Sequence, residues 1–414
     1  MNGKHLGSRR RAGMFTACLL LAASQAALAE LWELEPAIDV TQARGDRVFH
    51  HLDSAGRRSI AVSDLGVAVT WEDDRDGTPR VYLAHKVLDE DRFNRELTVS
   101  AAGEAFEPSV TVLENGYLVA WEQDGQVLAR VVDDHGLRPV TQLSERGGAQ
   151  VSLAAGPGVA AALWSENAGR FGRIRMALLA VGEQGKLDTV SSCDVDPVPP
   201  AADQLYPSAM RVDDRWIVAW EDRRPGHTII MAARQLPGTP CRFSEPQRIS
   251  ARYEGPPLPY GKGHGVSRVA MATFGEHGGF AAWADKRNFR HGYDIWGASY
   301  EPDTGKFGAN EWVQDDFGEL AKQRNPSVAG HNDGTLVVAW NDEREGHGDI
   351  MLSWRDDSVW SDDWPLPGAS GPGQQSHPSI VLDANRNLHA VWVDREAIGG
   401  PTRLRYAMGT ALSH

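Results

Sequence analysis

The stretch RNPSVAGHNDGTLVVAWNDEREGHGDIMLSW, Arg324–Trp354, holds three short apolar runs separated by polar turns, and nearly the same arrangement recurs along the chain. Apolar runs ending in Trp appear as VAVTW (Trp71), YLVAW (Trp121), VAAALW (Trp164), WIVAW (Trp220), GFAAW (Trp283), LVVAW (Trp340) and LHAVW (Trp392), at intervals of 50, 43, 56, 63, 57 and 52 residues. Twelve to sixteen residues before each Trp sits a Ser: Ser59, Ser109, Ser152, Ser208, Ser267, Ser327 and Ser379. Four of these follow Pro, in EPS, YPS, NPS and HPS. Two anchors matched in seven units make the chain a repeat array, which constrains the fold more than any single motif.

Each unit reads as four strands. The first starts at the Ser, as in SVTVL, and a Gly or Asn turn follows, such as ENG at 114–116 or HNDG at 331–334. Such turns suit a tight hairpin. The second strand ends at the Trp. After a polar hairpin comes a third strand, as in DIMLSW or RVYLAHK, and then a weaker fourth, as in SEPQRIS at 244–250 or NRELTVS at 94–100. The 14 Trp and 43 Gly among 414 residues suit short strands and tight turns, and no segment carries a long helical apolar stripe. Four strands in about fifty residues, seven times over, define an all-β, seven-bladed β-propeller of four-stranded antiparallel blades. A lone unit cannot bury both faces of its sheet, whereas radially packed units bury each other's.

The blades are expected at about 46–100, 101–145, 146–195, 196–250, 251–315, 316–368 and 369–414, in a single domain over 30–414. The last unit stops after its third strand, RLRYAMG at 403–409, and LWELEPAIDVTQ at 31–42 resembles the missing fourth strand. The N-terminal strand is therefore expected to complete the last blade and close the ring, leaving no free sheet edge.

Residues 1–29 have a basic start (Lys4, Arg9, Arg10, Arg11), a short apolar run from Met14 to Ala23 and the exit Ala27-Leu28-Ala29. This pattern suits a signal peptide cut after Ala29, with the rest exported to the periplasm or beyond. Its removal takes away four basic residues and no acid, moving the formal charge from −14 to −18. So acidic a chain is a poor general binder of nucleic acid or anionic membrane, and no transmembrane segment is expected. Cys193 and Cys241 could form a disulfide in an oxidising compartment or remain two buried thiols.

In a propeller the loops leading into each first strand share a face with the loops between strands two and three. Two residues before each anchor Ser lie Arg57, Glu107, Gln150, Tyr206, Gly265, Asn325 and His377. They differ while their neighbours repeat, so the blade does not need them, and they suit a pocket at the channel mouth. A second set follows the Trp as D-x-R: Asp73/Arg75, Asp222/Arg224, Asp285/Arg287 and Asp342/Arg344, with Asp394 keeping the acid alone. Their repetition points to a structural part, the Asp holding the turn and the Arg bracing a neighbour. Asp294 and Asp349, before third strands, read the same way. The long connection 249–266 and the hairpin 286–294 break the pattern most. They bring Tyr253, Tyr260, Lys262, His264, Arg287, Arg290 and His291, a basic and aromatic patch suited to a sugar or a carboxylate-bearing ligand. No cofactor is expected. The acidic hairpins could hold Ca²⁺, although no loop has a calcium-binding spacing.

The units PSV…VAW-x-D-x-R…DI resemble secreted bacterial propellers of the sialidase-like (BNR-type) superfamily over nearly the whole chain after residue 30. The resemblance implies the propeller fold and, for catalytic members, an arginine triad, a Tyr/Glu pair and an acid. The Phe/Tyr-Arg-Ile-Pro stretch of sialidases is missing, and the nearest match to their Asp-box, SDDWPLPG at 361–368, fails. Arg57, Glu107, Tyr206 and Arg324 are of the right types, but no spacing selects them, so no catalytic residue is carried over. The sequence favours an exported binding module whose loop face meets a glycan, a carboxylate-bearing ligand or a protein partner. The alternative is a sialidase-like glycoside hydrolase acting at the channel mouth.

Overall fold

The computed structural model describes residues 31–43, 45, 48–52, 56–251, 265–287, 292–318, 320–356 and 358–412. These form seven antiparallel sheets whose innermost strands pack against one another in sequence order, the seventh against the first. Among the described residues, helix is limited to two short 3-10 turns, Glu183–Gly185 and Asp316–Gly318. The chain is thus a seven-bladed β-propeller.

The seventh blade places Gln374–Leu382 innermost, then Leu388–Arg395 and Arg403–Ala411. Its outer edge is formed by Trp32–Leu34 and Ile38–Asp39, antiparallel to Arg403–Ala411, with Trp32 opposite Ala411 and Ile38 opposite Tyr406. The two ends of the chain therefore meet in one sheet and close the ring.

The second strands show why the sequence stacks this way. In Gly116–Gln123, GYLVAWEQ, all but Glu122 are buried, because a neighbouring blade covers each sheet face. The apolar core divides into seven clusters, each shared by two adjacent blades. All seven repeat Trp residues are at most 1% exposed.

The D-x-R residues bracket these Trp side chains. Trp71 Nε1 donates to Asp73 at 2.8 Å, Trp220 to Asp222 at 3.1 Å, Trp283 to Asp285 at 3.1 Å and Trp340 to Asp342 at 3.2 Å. Each Asp also accepts the Arg two residues on, at its backbone N–H and its guanidinium. Arg224 reaches Asp196 as well, at 2.9 Å, on the connection from blade three. A buried indole N–H and a buried carboxylate are costly alone, and here each satisfies the other. Blade two uses Gln123 and blade three Glu166 for the same bond.

The anchor Ser hydroxyls stitch the inner strands. Ser109 Oγ accepts Leu153 N–H at 3.2 Å, Ser327 Oγ accepts Ile380 N–H at 3.1 Å and Ser379 Oγ accepts Ser59 N–H at 3.2 Å. Cys193, on the fourth strand of blade three (Leu187–Asp194), is disulfide-bonded to Cys241 of blade four, 48 residues away.

Candidate binding site at the channel mouth

Blade one has a short innermost strand, Ile60–Ser63, because the residues before it turn into the channel. Gly56 lies against blades four and five so closely that a Cβ there would sit 2.6 Å from the Val269 carbonyl. Its own carbonyl accepts Ser152 Oγ of blade three at 2.6 Å. Arg58 Nη2 donates to the Met271 carbonyl of blade five at 3.2 Å, and the Arg58 carbonyl accepts Val110 N–H of blade two at 2.8 Å. Residues 56–58 thus tie blades two, three and five together through the axis, and they floor the channel.

Above this floor the residues preceding the anchors share one backbone device. Glu107, Gln150, Tyr206, Arg268, Asn325 and His377 all have φ between 51° and 62°. A break in strand register accompanies each. Left-handed non-glycine residues cost roughly 1–2 kcal/mol each, and bulges of this kind re-aim a side chain. The strained N–H is captured by the preceding blade in several units. Glu72 accepts Glu107 N–H, Glu122 accepts Gln150 N–H, Glu221 accepts Arg268 N–H at 2.9 Å and Asn341 accepts His377 N–H at 2.9 Å. These acceptors directly follow the repeat Trp (Ala in blade five, Val in blade seven, elsewhere a polar residue), a position that sequence reasoning passed over.

Blade five corrects the expected register. Its bulge lies between Ser267 and Ala270, so Ala270 occupies the anchor position and Arg268 the variable one. Ser267 is paired one step before the bulge, and Gly265 precedes the strand Val266–Phe274. The spacing carried the signal: Ala270 lies 13 residues before Trp283, within the 12 or 13 of the other blades, whereas Ser267 lies 16 before it.

The mouth brings Arg57, Glu107, Gln150 and Tyr206 together. Arg57 is buried and pairs with Glu107, with Glu122 at 3.6 Å. Burial, together with the charge of Glu107, holds the Glu122 carboxyl well above the usual carboxylate range, at about 8, against the pull of Arg57. Gln150 Oε1 accepts Tyr206 N–H at 2.9 Å. The Tyr206 ring carries Arg268 at 3.5 Å and Arg57 at 5.9 Å from its centroid.

A second aromatic ring repeats this arrangement. Tyr293 carries Arg324 at 4.7 Å and Lys286 at 5.6 Å, and its hydroxyl lies beside Gly265. Tyr206, Arg268, Gly265, Tyr293 and Arg324 therefore form an arc over blades four to six, and Asn325 follows Arg324 directly. Asn325 Nδ2 reaches Asn341 at 3.4 Å, and Asn341 in turn holds His377.

Arg287 belongs to the bracket of Trp283. It donates to Asp285 at 2.6 Å and to Asn310 at 2.8 Å, and stacks on Trp296 at 3.8 Å. Tyr253, Tyr260, Lys262, His264, Arg290 and His291 lie outside the described residues, as does the expected signal peptide. Among the described residues, no helix is long and apolar enough to cross a membrane.

The sequence matches no family model and no curated protein. Among solved structures the chain is similar to the polysaccharide lyase Uly1, with a TM-score of 0.58 and 9% identity over 92% of this chain and 100% of that one. It is also similar to a protein of unknown function from Dyadobacter fermentans, with a TM-score of 0.57 and 10% identity over 93% and 100%. Identities this low speak to the shared fold alone.

Proposed function

We propose that this chain is a binding module for a carboxylate-bearing glycan, held at the channel mouth. One observation carries the reading: two tyrosine rings on blades four to six are each flanked by two cations, in a chain whose formal charge is −14. Guanidinium forks bind carboxylates in two-point fashion, and each Tyr ring holds its cations in place through its face. The left-handed residues beneath are fixed by neighbouring blades, so the polar groups are pre-organised. The propeller scaffold is compatible with this role, since a polysaccharide lyase uses it.

Glu107 and Glu122 both pair with the Arg57 guanidinium, Glu122 at 3.6 Å. Held by one cation, these carboxyls suit a rigid floor better than the acid and the nucleophile or base of a glycosidase.

A glycan array bearing carboxylated and neutral oligosaccharides tests the reading, with binding and bond cleavage read on the same spots. Retention of carboxylated glycans without cleavage is the expected result. Cleavage would establish the enzyme reading instead, and retention of neutral glycans alone would overturn the role given to the cationic arc.

A further inference from the structure

The blade-three hairpin carries a third aromatic ring between two cations. Arg170 lies 5.3 Å and Arg173 5.5 Å from the centroid of Phe171, where the third strand of that blade, Phe171–Val181, begins. Phe171 and Arg173, two residues apart on a strand, share one face of the sheet. Lys286 and Tyr293 belong to the corresponding hairpin of blade five, between its second and third strands, so the two rings stand on the same face of the propeller. The blade-three hairpin also abuts the mouth. Gly172 donates its N–H to Asp203 at 3.0 Å, and a Cβ on it would sit 3.2 Å from the Gln204 carbonyl and 3.7 Å from Leu205, the residue before Tyr206.

Neither guanidinium is neutralised by a carboxylate among the described residues. Arg173 donates to the Gly172 carbonyl at 2.8 Å and to the Ala202 and Pro200 carbonyls at 2.7 Å each. These acceptors are uncharged, so they fix the side chain and leave its charge uncompensated. Arg170 is exposed, and its guanidinium has no hydrogen bond or ion pair among the described residues. The acids around it are engaged elsewhere: Glu166 accepts Trp164 Nε1 and the N–H groups of Glu145 and Arg146, and Asp203 accepts Gly172. Arg324, at the far end of the arc, is likewise exposed over Tyr293 without an ion pair among the described residues. In a chain with 56 acidic and 42 basic residues, arginines left unmatched on aromatic rings complement an anion supplied from outside.

We infer that Arg170, Phe171 and Arg173 form a further anion subsite, and that the ligand is a polyanionic chain, an acidic polysaccharide with carboxylates on successive units, lying across the mouth from blade three to blade six. The inference rests on the proposed function and gives it a ligand class. A single acidic sugar meets one cation set at a time, whereas a chain of them engages the sets together and gains by the linkage.

The test is calorimetric titration with galacturonate and its oligomers up to the octamer, and with the mannuronate series as a second linkage. In the parent chain, affinity should rise about a hundredfold or more from monomer to octamer in at least one series. Arg170→Ala should remove most of that gain at an unchanged melting temperature. Arg223→Ala, which removes an exposed cation from the neighbouring blade-four hairpin, should keep it. A length gain that survives Arg170→Ala, or that falls equally in Arg223→Ala, overturns the subsite, the second result because the attraction would then be diffuse. Monomers that bind without any gain on lengthening in either series also overturn it, while the arc stands. If no uronate of any length binds, the arc and the subsite fall together.

Discussion

Replacing Trp32 by Ala tests how the ring is held shut. Trp32 is 1% exposed and stands edge-on to Trp354 of blade six, with ring centroids 6.0 Å apart. Its Nε1 donates to the Arg386 carbonyl at 2.8 Å. The side chain therefore fastens the closing strand to blade seven and to the blade beside it. Truncating a buried Trp costs about 3–5 kcal/mol, and the lost hydrogen bond adds about 1 kcal/mol. An unfolding entropy of about 2.1 cal/mol/K per residue gives roughly 0.8 kcal/mol/K for a ring of this length. The melting temperature should then fall by about 5–7 °C. Scanning calorimetry checks this, and a single transition should persist, because a ring with an open blade loses two core clusters at once. A fall of less than about 2 °C would refute the reasoning. So would a small early transition followed by melting at the parental temperature, since the last blade would then be opening without the ring.

The brackets and the floor make further expectations. Asp222→Ala removes the acceptor shared by Trp220, Gln204 and Arg224 and should cost about 3–5 kcal/mol by urea unfolding. Asp394→Ala should cost only about 1 kcal/mol, since Asp394 holds Gln375 while Trp392 Nε1 has no hydrogen-bond partner. Equal losses would show that the Trp bracket is not what the Asp supplies. Glu122 keeps its proton in the folded chain at pH values where the unfolded chain, at its ordinary 4.5, has released it. The stability it contributes is full below that value and lost as pH rises through the raised folded value. Glu122→Gln should therefore flatten the decline of the urea midpoint between pH 5 and 9, and parallel pH profiles would count against a proton held on Glu122.

Blade number, strand order and ring closure were legible because each repeats a physical need. A Trp between two blades must be buried, and the anchor Ser must reach the next inner strand. The closing strand was legible as well, since LWELEPAIDVTQ at 31–42 resembles the fourth strands of the other units and the seventh unit stops after its third. The floor made by Gly56–Arg58 was not, because what lies on the axis depends on where seven separate blades converge. Arg268 was hidden for a simpler reason. Blade five has Ala270 in place of the anchor Ser, and Ser267 three residues earlier drew the register away. The pairing of Tyr293 with Lys286 and Arg324 joins a hairpin to the next blade, a contact that leaves no local spacing to read. Arg287, by contrast, fits the repeated D-x-R bracket, and that pattern was the better guide to its surroundings than the loop in which it lies.

The central claim is that the cationic arc binds a carboxylated glycan. The most direct measurement is a titration of the best-retained carboxylated glycan into the parent chain and into Arg324→Ala, whose side chain is exposed and whose loss leaves the blades intact. The account expects binding to weaken about tenfold or more, the range of a hydrogen bond to a charged group, with an unchanged melting temperature. Equal affinity of parent and variant, or equal retention of the neutral counterpart, would contradict it.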